Sequence, residues 1–259
     1  AVTTLRAAQT ALGANPPSAA FFANVPTSVT PTFFNNTINA LIARYSLFAG
    51  DYAGALTAAN LVDLNYGGAI LGYDAIVTNP IFTTATATNN VYQILDSTLG
   101  LPTALAPDLN DQRIAFYTAI NPTIQPRYRI KGFFNAATQA IPVYLPDEIR
   151  LIKAECYVKQ AAPNLTAAVA EIDAVRTQLP SADPFGVGGG LTAYSGTVSA
   201  AALTDEIYRQ RCIELCMSGM RLEDNRRLGR PVSERRRTFF PYPSRERDNN
   251  PNTPADPAN

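Results

Sequence analysis

At 259 residues the chain is long enough to bury a sizeable core, and its 21 basic and 21 acidic side chains cancel, which argues against nucleic acid as a partner. It has no histidine, which removes Ser-His and Cys-His catalysis and the commonest metal ligand. No apolar run reaches the roughly 18 residues that a membrane-spanning helix needs.

Residues Ala1 to Leu12 read as a modest amphipathic helix with Leu5, Ala8 and Leu12 on one side and Gly13 as terminator. Asn15 to Pro31 reads as a Pro-rich loop carrying Phe21 and Phe22. Thr30 and Pro31 form an N-cap followed by proline at the first helical position, so a helix is expected from there to about Ala49. Gly50-Asp51 breaks it, and a second helix follows from Tyr52 to about Leu64. Ala40, Ala43, Ala55, Ala58 and Ala59 let the two approach, which makes residues 31–64 a helical hairpin. A second hairpin is expected at 146–179. Asp147 and Glu148 sit in its first turn, and Val169, Ile172, Val175 and Leu179 form a stripe on its second helix. Two such units point to tetratricopeptide-like repeats.

Between the hairpins, residues 65–145 are rich in Thr, Asn, Gly and Pro, with β-like runs at Val91–Leu95 and Tyr128–Phe134. Long irregular insertions in a domain are usually functional or disordered. Ser181 to Ser199 is a second irregular stretch, which Gly188 to Gly190 should make pliable. From Thr204 to Leu228 one helix is expected, with Thr204 as N-cap and Gly229 and Pro231 as terminators. Its apolar residues run almost all the way round the axis, so it should be buried. Arg211 and Glu214 are spaced to meet on one face, and charges there must be paired, with each other or with neighbouring helices. Cys212 and Cys216, one turn apart, are too distant for a disulfide, and with Cys156 they read as small apolar core residues. Eleven of the chain's arginines follow residue 205, which is read as structural pairing plus a solvated run at Arg235–Arg237 rather than an anion-binding face.

The stretch 203–251 resembles the C-terminal signature of SusD/RagB proteins. It carries Arg211, Glu214, Leu215, Gly219, Arg221, Asp224, Arg226, Arg227, Gly229 and Arg230, then Phe240, Pro241, Tyr242, Pro243, Glu246, Asn250 and Pro251. Gln210, Ser218 and Asn225 depart from that pattern. Leu151–Tyr157 with Ile172–Arg176 resembles the helix pair that precedes the signature, and Asp111-Gln112-Arg113 resembles the family's D-x-R turn. The resemblance covers Phe33 to the end. It implies a single, mainly α, SusD-like domain over residues 1–259, built from tetratricopeptide-like hairpins with long irregular loops and minor β. It also implies a lipid-anchored protein on the outer face of a Bacteroidetes-type outer membrane, seated on a SusC-like TonB-dependent transporter and capturing glycans or other nutrients. The family's lipidated cysteine and N-terminal segment are not in this chain, so the sequence is expected to be the C-terminal part of a longer protein or a short member.

The residues themselves signal no catalysis, cofactor or metal. Asp108, Asn110 and Asp111 lack the glycine and terminal glutamate of a calcium loop, and Gly186–Gly190 has no following Lys-Ser/Thr for phosphate. Asp147-Glu148 and Glu223-Asp224 point different ways on helices, so no glycosidase acid pair is signalled. Aromatic rings and amides do share the middle segment. Sugars stack their C–H faces on rings and give their hydroxyls to amides and acids, so Tyr66, Tyr73, Tyr92, Tyr117 and Tyr128 are the candidate platforms. Arg211, Glu214, Arg221 and Asp224 are expected to be structural. A helical scaffold binding peptides or proteins is the alternative, and it would need an open concave face. A hydrolase is argued against by the missing histidine and acid pair.

Overall fold

The computed structural model describes residues 1–24, 30–85, 94, 96–123, 128–235 and 242–255. The chain divides into two compact units, Ala1–Cys216 and Met217–Asn259.

The first unit is built on helices. α1 (Val2–Ala14) and α2 (Ala19–Ala23) lead to α3 (Pro31–Phe48) and α4 (Tyr52–Ala59). α2 falls where a loop was expected, because Ser18 caps it by accepting the Phe21 amide at 3.3 Å. α3 starts as the sequence indicates, with the Thr30 hydroxyl accepting from Phe33 N and proline at the first turn. Asp51 caps α4 by accepting from Gly54 N at 2.8 Å. α5 (Pro80–Ala85) and α6 (Gln112–Tyr117) punctuate the middle segment. α7 (Pro146–Lys159) and α8 (Leu165–Thr177) make the second hairpin, the latter capped by Asn164. α9 (Ala200–Glu214) closes the unit and is capped by Ser199, not Thr204.

Two apolar clusters hold these helices. Ile38, Ala43, Leu47, Ala55, Ala59, Ile149 and Ile152 lock the first hairpin onto α7. Small side chains let α3 and α4 approach, and each buried aliphatic side chain contributes about 1.5–3 kcal/mol. Ala154, Val158, Ala168, Ile172, Leu203 and Ile207 lock α7, α8 and α9 together. A buried bidentate pair joins the hairpins: Arg44 donates through Nε and Nη2 to the two Glu148 oxygens, each at 2.6 Å. Its Nη2 also donates to the Val143 carbonyl at 2.8 Å, so the guanidinium is well satisfied where it is buried.

Strand content is small. β1 (Ile70–Leu71) pairs antiparallel with β4 (Ile141–Pro142), and β2 (Thr118–Ile120) with β3 (Tyr128–Ile130). The β-like run at Val91–Leu95 lies outside the described residues except for Ile94, which is buried.

The expected helix from Thr204 to Leu228 is two helices. α9 ends at Glu214, and Met217 and Gly219 then take positive φ of 65° and 84°. The left-handed conformation ends a helix, and apolar side chains on every side gave no sign of it. In the second unit, α10 (Arg221–Arg227), α11 (Val232–Arg235) and α12 (Ser244–Asn249) follow. Asp224 is buried and accepts from Arg227 Nε and Nη2 at 2.9 and 2.7 Å, and Arg221 is half-buried. Glu234 receives Arg230 one turn away, at 3.0 and 2.8 Å. Phe240 and Pro241 of the closing segment lie outside the described residues.

Candidate functional site

The segment from Asn65 to Leu145 is tied down from within by one asparagine and a group of rings. Asn79 is fully buried. Its amide donates to the carbonyls of Phe133 and Gln139 at 2.9 and 2.8 Å, and its oxygen receives the Ile81 and Phe82 amides at the start of α5. Phe116, Tyr117, Phe134 and Phe185 meet Phe133 edge-on, with centroids 5.1 to 6.3 Å apart. Edge-to-face pairs of this kind contribute about 0.5–1.5 kcal/mol each beyond area burial.

A charged knot ties the same segment to α9. Asp111 caps α6 by accepting from Arg113 N, and its two oxygens also take Arg113 Nε and Nη2 at 2.9 and 2.7 Å. Arg113 Nη2 further reaches Gln210 at 2.6 Å and Nη1 reaches Glu214 at 3.1 Å. Tyr117 donates its hydroxyl to the Glu214 carbonyl, and burial pushes that phenol well above its ordinary range. Glu214 and Arg211 are both fully buried, as a helix apolar on most sides implied. Of the two expected partners, Glu214 takes the neighbouring helix, pairing with Arg113 of α6.

The glycine run is the reverse of pliable. A Cβ on Gly188 would lie 2.6 Å from the Leu179 backbone, and one on Gly189 2.7 Å from the Arg176 carbonyl. Gly189 accepts from Gln112 N, and Gly190 donates to Gln178 O. These glycines are there so that backbone can meet backbone at the end of α8 and the start of α6.

What the segment leaves at the surface is a turn and a hairpin tip. Asp74 accepts the Ile76 and Val77 amides at 2.7 and 2.6 Å, and those bonds hold its carboxyl below the usual range. The turn exposes Ile76 and Val77 beside the half-buried Tyr73. On the hairpin, half-buried Tyr128 sits directly opposite exposed Ile120.

This architecture has known counterparts. A SusD-like carbohydrate-binding protein from Bacteroides vulgatus superposes with a TM-score of 0.57 at 17% identity, over 86% of this chain and 49% of its own. A SusD-like carbohydrate-binding protein from Bacteroides fragilis gives 0.57 at 17% identity, over 88% of this chain and 57% of its own. The fold is SusD-like. The chain thus spans about half the length of the solved structures it matches. No family model and no curated protein matches the sequence.

Within this SusD-like frame the five candidate tyrosines have different placements. Tyr66 is buried and stacks flat on Phe33 with centroids 4.2 Å apart, so its ring is already engaged. Tyr117 is 2% exposed with its hydroxyl engaged, so it too is an anchor rather than a platform. Tyr92 lies outside the described residues. Tyr73 and Tyr128 are only half-buried, and among the described residues neither makes a ring contact. Ile120 and Ile76 went unnoticed in the sequence. In both cases the apolar residue stands just before a turn, in TAINP and DAIVTNP. Among the described residues no cluster of acids and thiols could hold a metal, and no helix is long and apolar enough to cross a membrane. Asp111 is fully used by Arg113, and Asp108 accepts the Asn110 amide.

Proposed function

We propose that this chain is a non-catalytic binding protein that captures a glycan or a comparable small nutrient on the surface displayed by residues 65–145. One observation carries the reading: on a SusD-like helical frame, Asn79 and Arg113 tie down the described part of this segment while Tyr73 and Tyr128 stay only half-buried. Rings held on a stiff support lose little entropy when a sugar stacks on them. The two solved counterparts are carbohydrate-binding proteins by name, which supports this ligand class. The same likeness supports an outer-membrane location, with a SusC-like TonB-dependent transporter as the acceptor of the ligand. Calorimetric titration against a panel of neutral oligosaccharides tests the reading, with chromatography of each mixture afterwards. Binding with intact sugars supports it. Cleaved products would replace it with a hydrolase.

A further inference from the structure

The hairpin of β2 and β3 carries charge of one sign. Between Asp111 and Asp147 the sequence holds no Asp or Glu, but it holds Arg113, Arg127, Arg129 and Lys131. Arg113 is spent inside, on Asp111, Gln210 and Glu214. Arg127 lies outside the described residues. Arg129 lies on β3, and Lys131 extends that strand, its amide donating to the Tyr117 carbonyl at 2.9 Å. Residues two apart on a strand share a face and are spaced by about 6–7 Å. Burial shows which face this is. Thr118 and its partner Ile130 are 6% and 5% exposed, so their side of the ribbon faces the core. Ala119, Arg129 and Lys131 alternate with them and take the outer side, where Ala119 and Lys131 are exposed and Arg129 is half-buried. Ala119 is the residue paired with Arg129, and its methyl group screens little of this face. Lys131 Nζ donates to the Ala115 carbonyl at 3.4 Å and meets no acid among the described residues. The acids that reach Tyr117 at the base of the hairpin, Glu214 and Asp183, are buried and engaged by Arg113 and by the Phe185 and Val187 amides.

We propose that the outer face of this hairpin binds the acidic groups of an anionic glycan, a sugar chain bearing carboxylates or sulfates, with Arg129 and Lys131 as their charge partners. This names the ligand class for the surface formed by residues 65–145 and rests on the glycan-binding reading of that surface. A guanidinium meets a carboxylate or sulfate with paired N–H donors, and an ammonium meets it as a point charge. Two cations in line along one strand suit a ligand whose negative charges repeat along a chain. The absence of Asp and Glu from the stretch around them keeps local repulsion of such a ligand low.

Calorimetry of the whole chain tests this with four probes: an uncharged cello-oligosaccharide, an oligogalacturonate of equal length, a heparin-derived oligosaccharide, and polyphosphate as a polyanion without sugar. An acidic oligosaccharide should bind more tightly than the uncharged one, and its binding should weaken as salt rises from about 0.05 M to about 0.5 M. Which acidic probe binds better distinguishes carboxylate from sulfate. Arg129→Gln and Lys131→Gln should each weaken that binding roughly two- to fivefold, with the unfolding temperature nearly unchanged. Acidic-sugar binding that is unaffected in both variants would overturn the proposal. So would polyphosphate binding as tightly as the acidic sugars, which would make the face a general anion patch. Uncharged and acidic sugars bound equally well would overturn the anionic preference and leave glycan capture standing, whereas no sugar bound at all would overturn both.

Discussion

Arg113 Nη1 donates to Glu214 Oε2 at 3.1 Å across 101 residues of sequence, with both side chains fully buried. That contact joins the segment carrying the candidate ligand surface to the last helix of the first unit. It fixes a long irregular stretch whose own strands are two or three residues long.

Asp111→Ala should therefore be strongly destabilising. It removes the α6 cap and both oxygens that grip a fully buried guanidinium. Arg113 keeps Glu214 and Gln210, so the loss should be that of the severed charged hydrogen bonds, about 1.5–3 kcal/mol, rather than of a stranded charge. Urea unfolding of the variant should show a loss of that size, whereas a shift comparable to an exposed substitution would contradict the knot.

Glu148→Ala, in the first turn of α7, should also be strongly destabilising. Arg44, 6% exposed, would keep only the Val143 carbonyl. A loss of about 3–5 kcal/mol is expected, read as a drop in the midpoint of thermal unfolding.

Two glycine substitutions should have opposite signs. Gly189→Ala drives a Cβ to 2.7 Å from a backbone oxygen and should destabilise by about 1–3 kcal/mol. Gly13→Ala, with nothing within 4 Å and inside α1, should stabilise by about 0.5–1 kcal/mol. Differential scanning calorimetry of the pair separates close backbone approach from simple helix propensity.

These contrasts show which features the sequence carried and which it did not. Thr30-Pro31, Asp51 and Asp147-Glu148 mark helix starts because capping is local chemistry, read within four residues. The D-x-R turn was visible only as a family resemblance, and the pairing of Asp111 with Arg113 is what the structure adds. Glu214 choosing Arg113 over Arg211 was not visible, since the choice depends on how α6 docks. Asn79 was equally silent, because its partners Phe133 and Gln139 are more than fifty residues away. Gly188–Gly190 gave the wrong impression, because glycine permits both looseness and close approach, and only the neighbouring Arg176 and Leu179 backbone decides which. The tyrosines divided on the same ground: composition places rings in a segment, and packing alone determines which of them, such as Tyr66 and Tyr117, face inward.

The surface reading is tested most directly by calorimetry of a Tyr73→Ala/Tyr128→Ala double variant against an oligosaccharide that the wild type binds. Each ring should contribute on the order of 1 kcal/mol, so the double variant should bind roughly tenfold or more weakly, with its unfolding temperature nearly unchanged. Equal affinity of the double variant and the wild type would contradict the assignment of the ligand surface to residues 65–145.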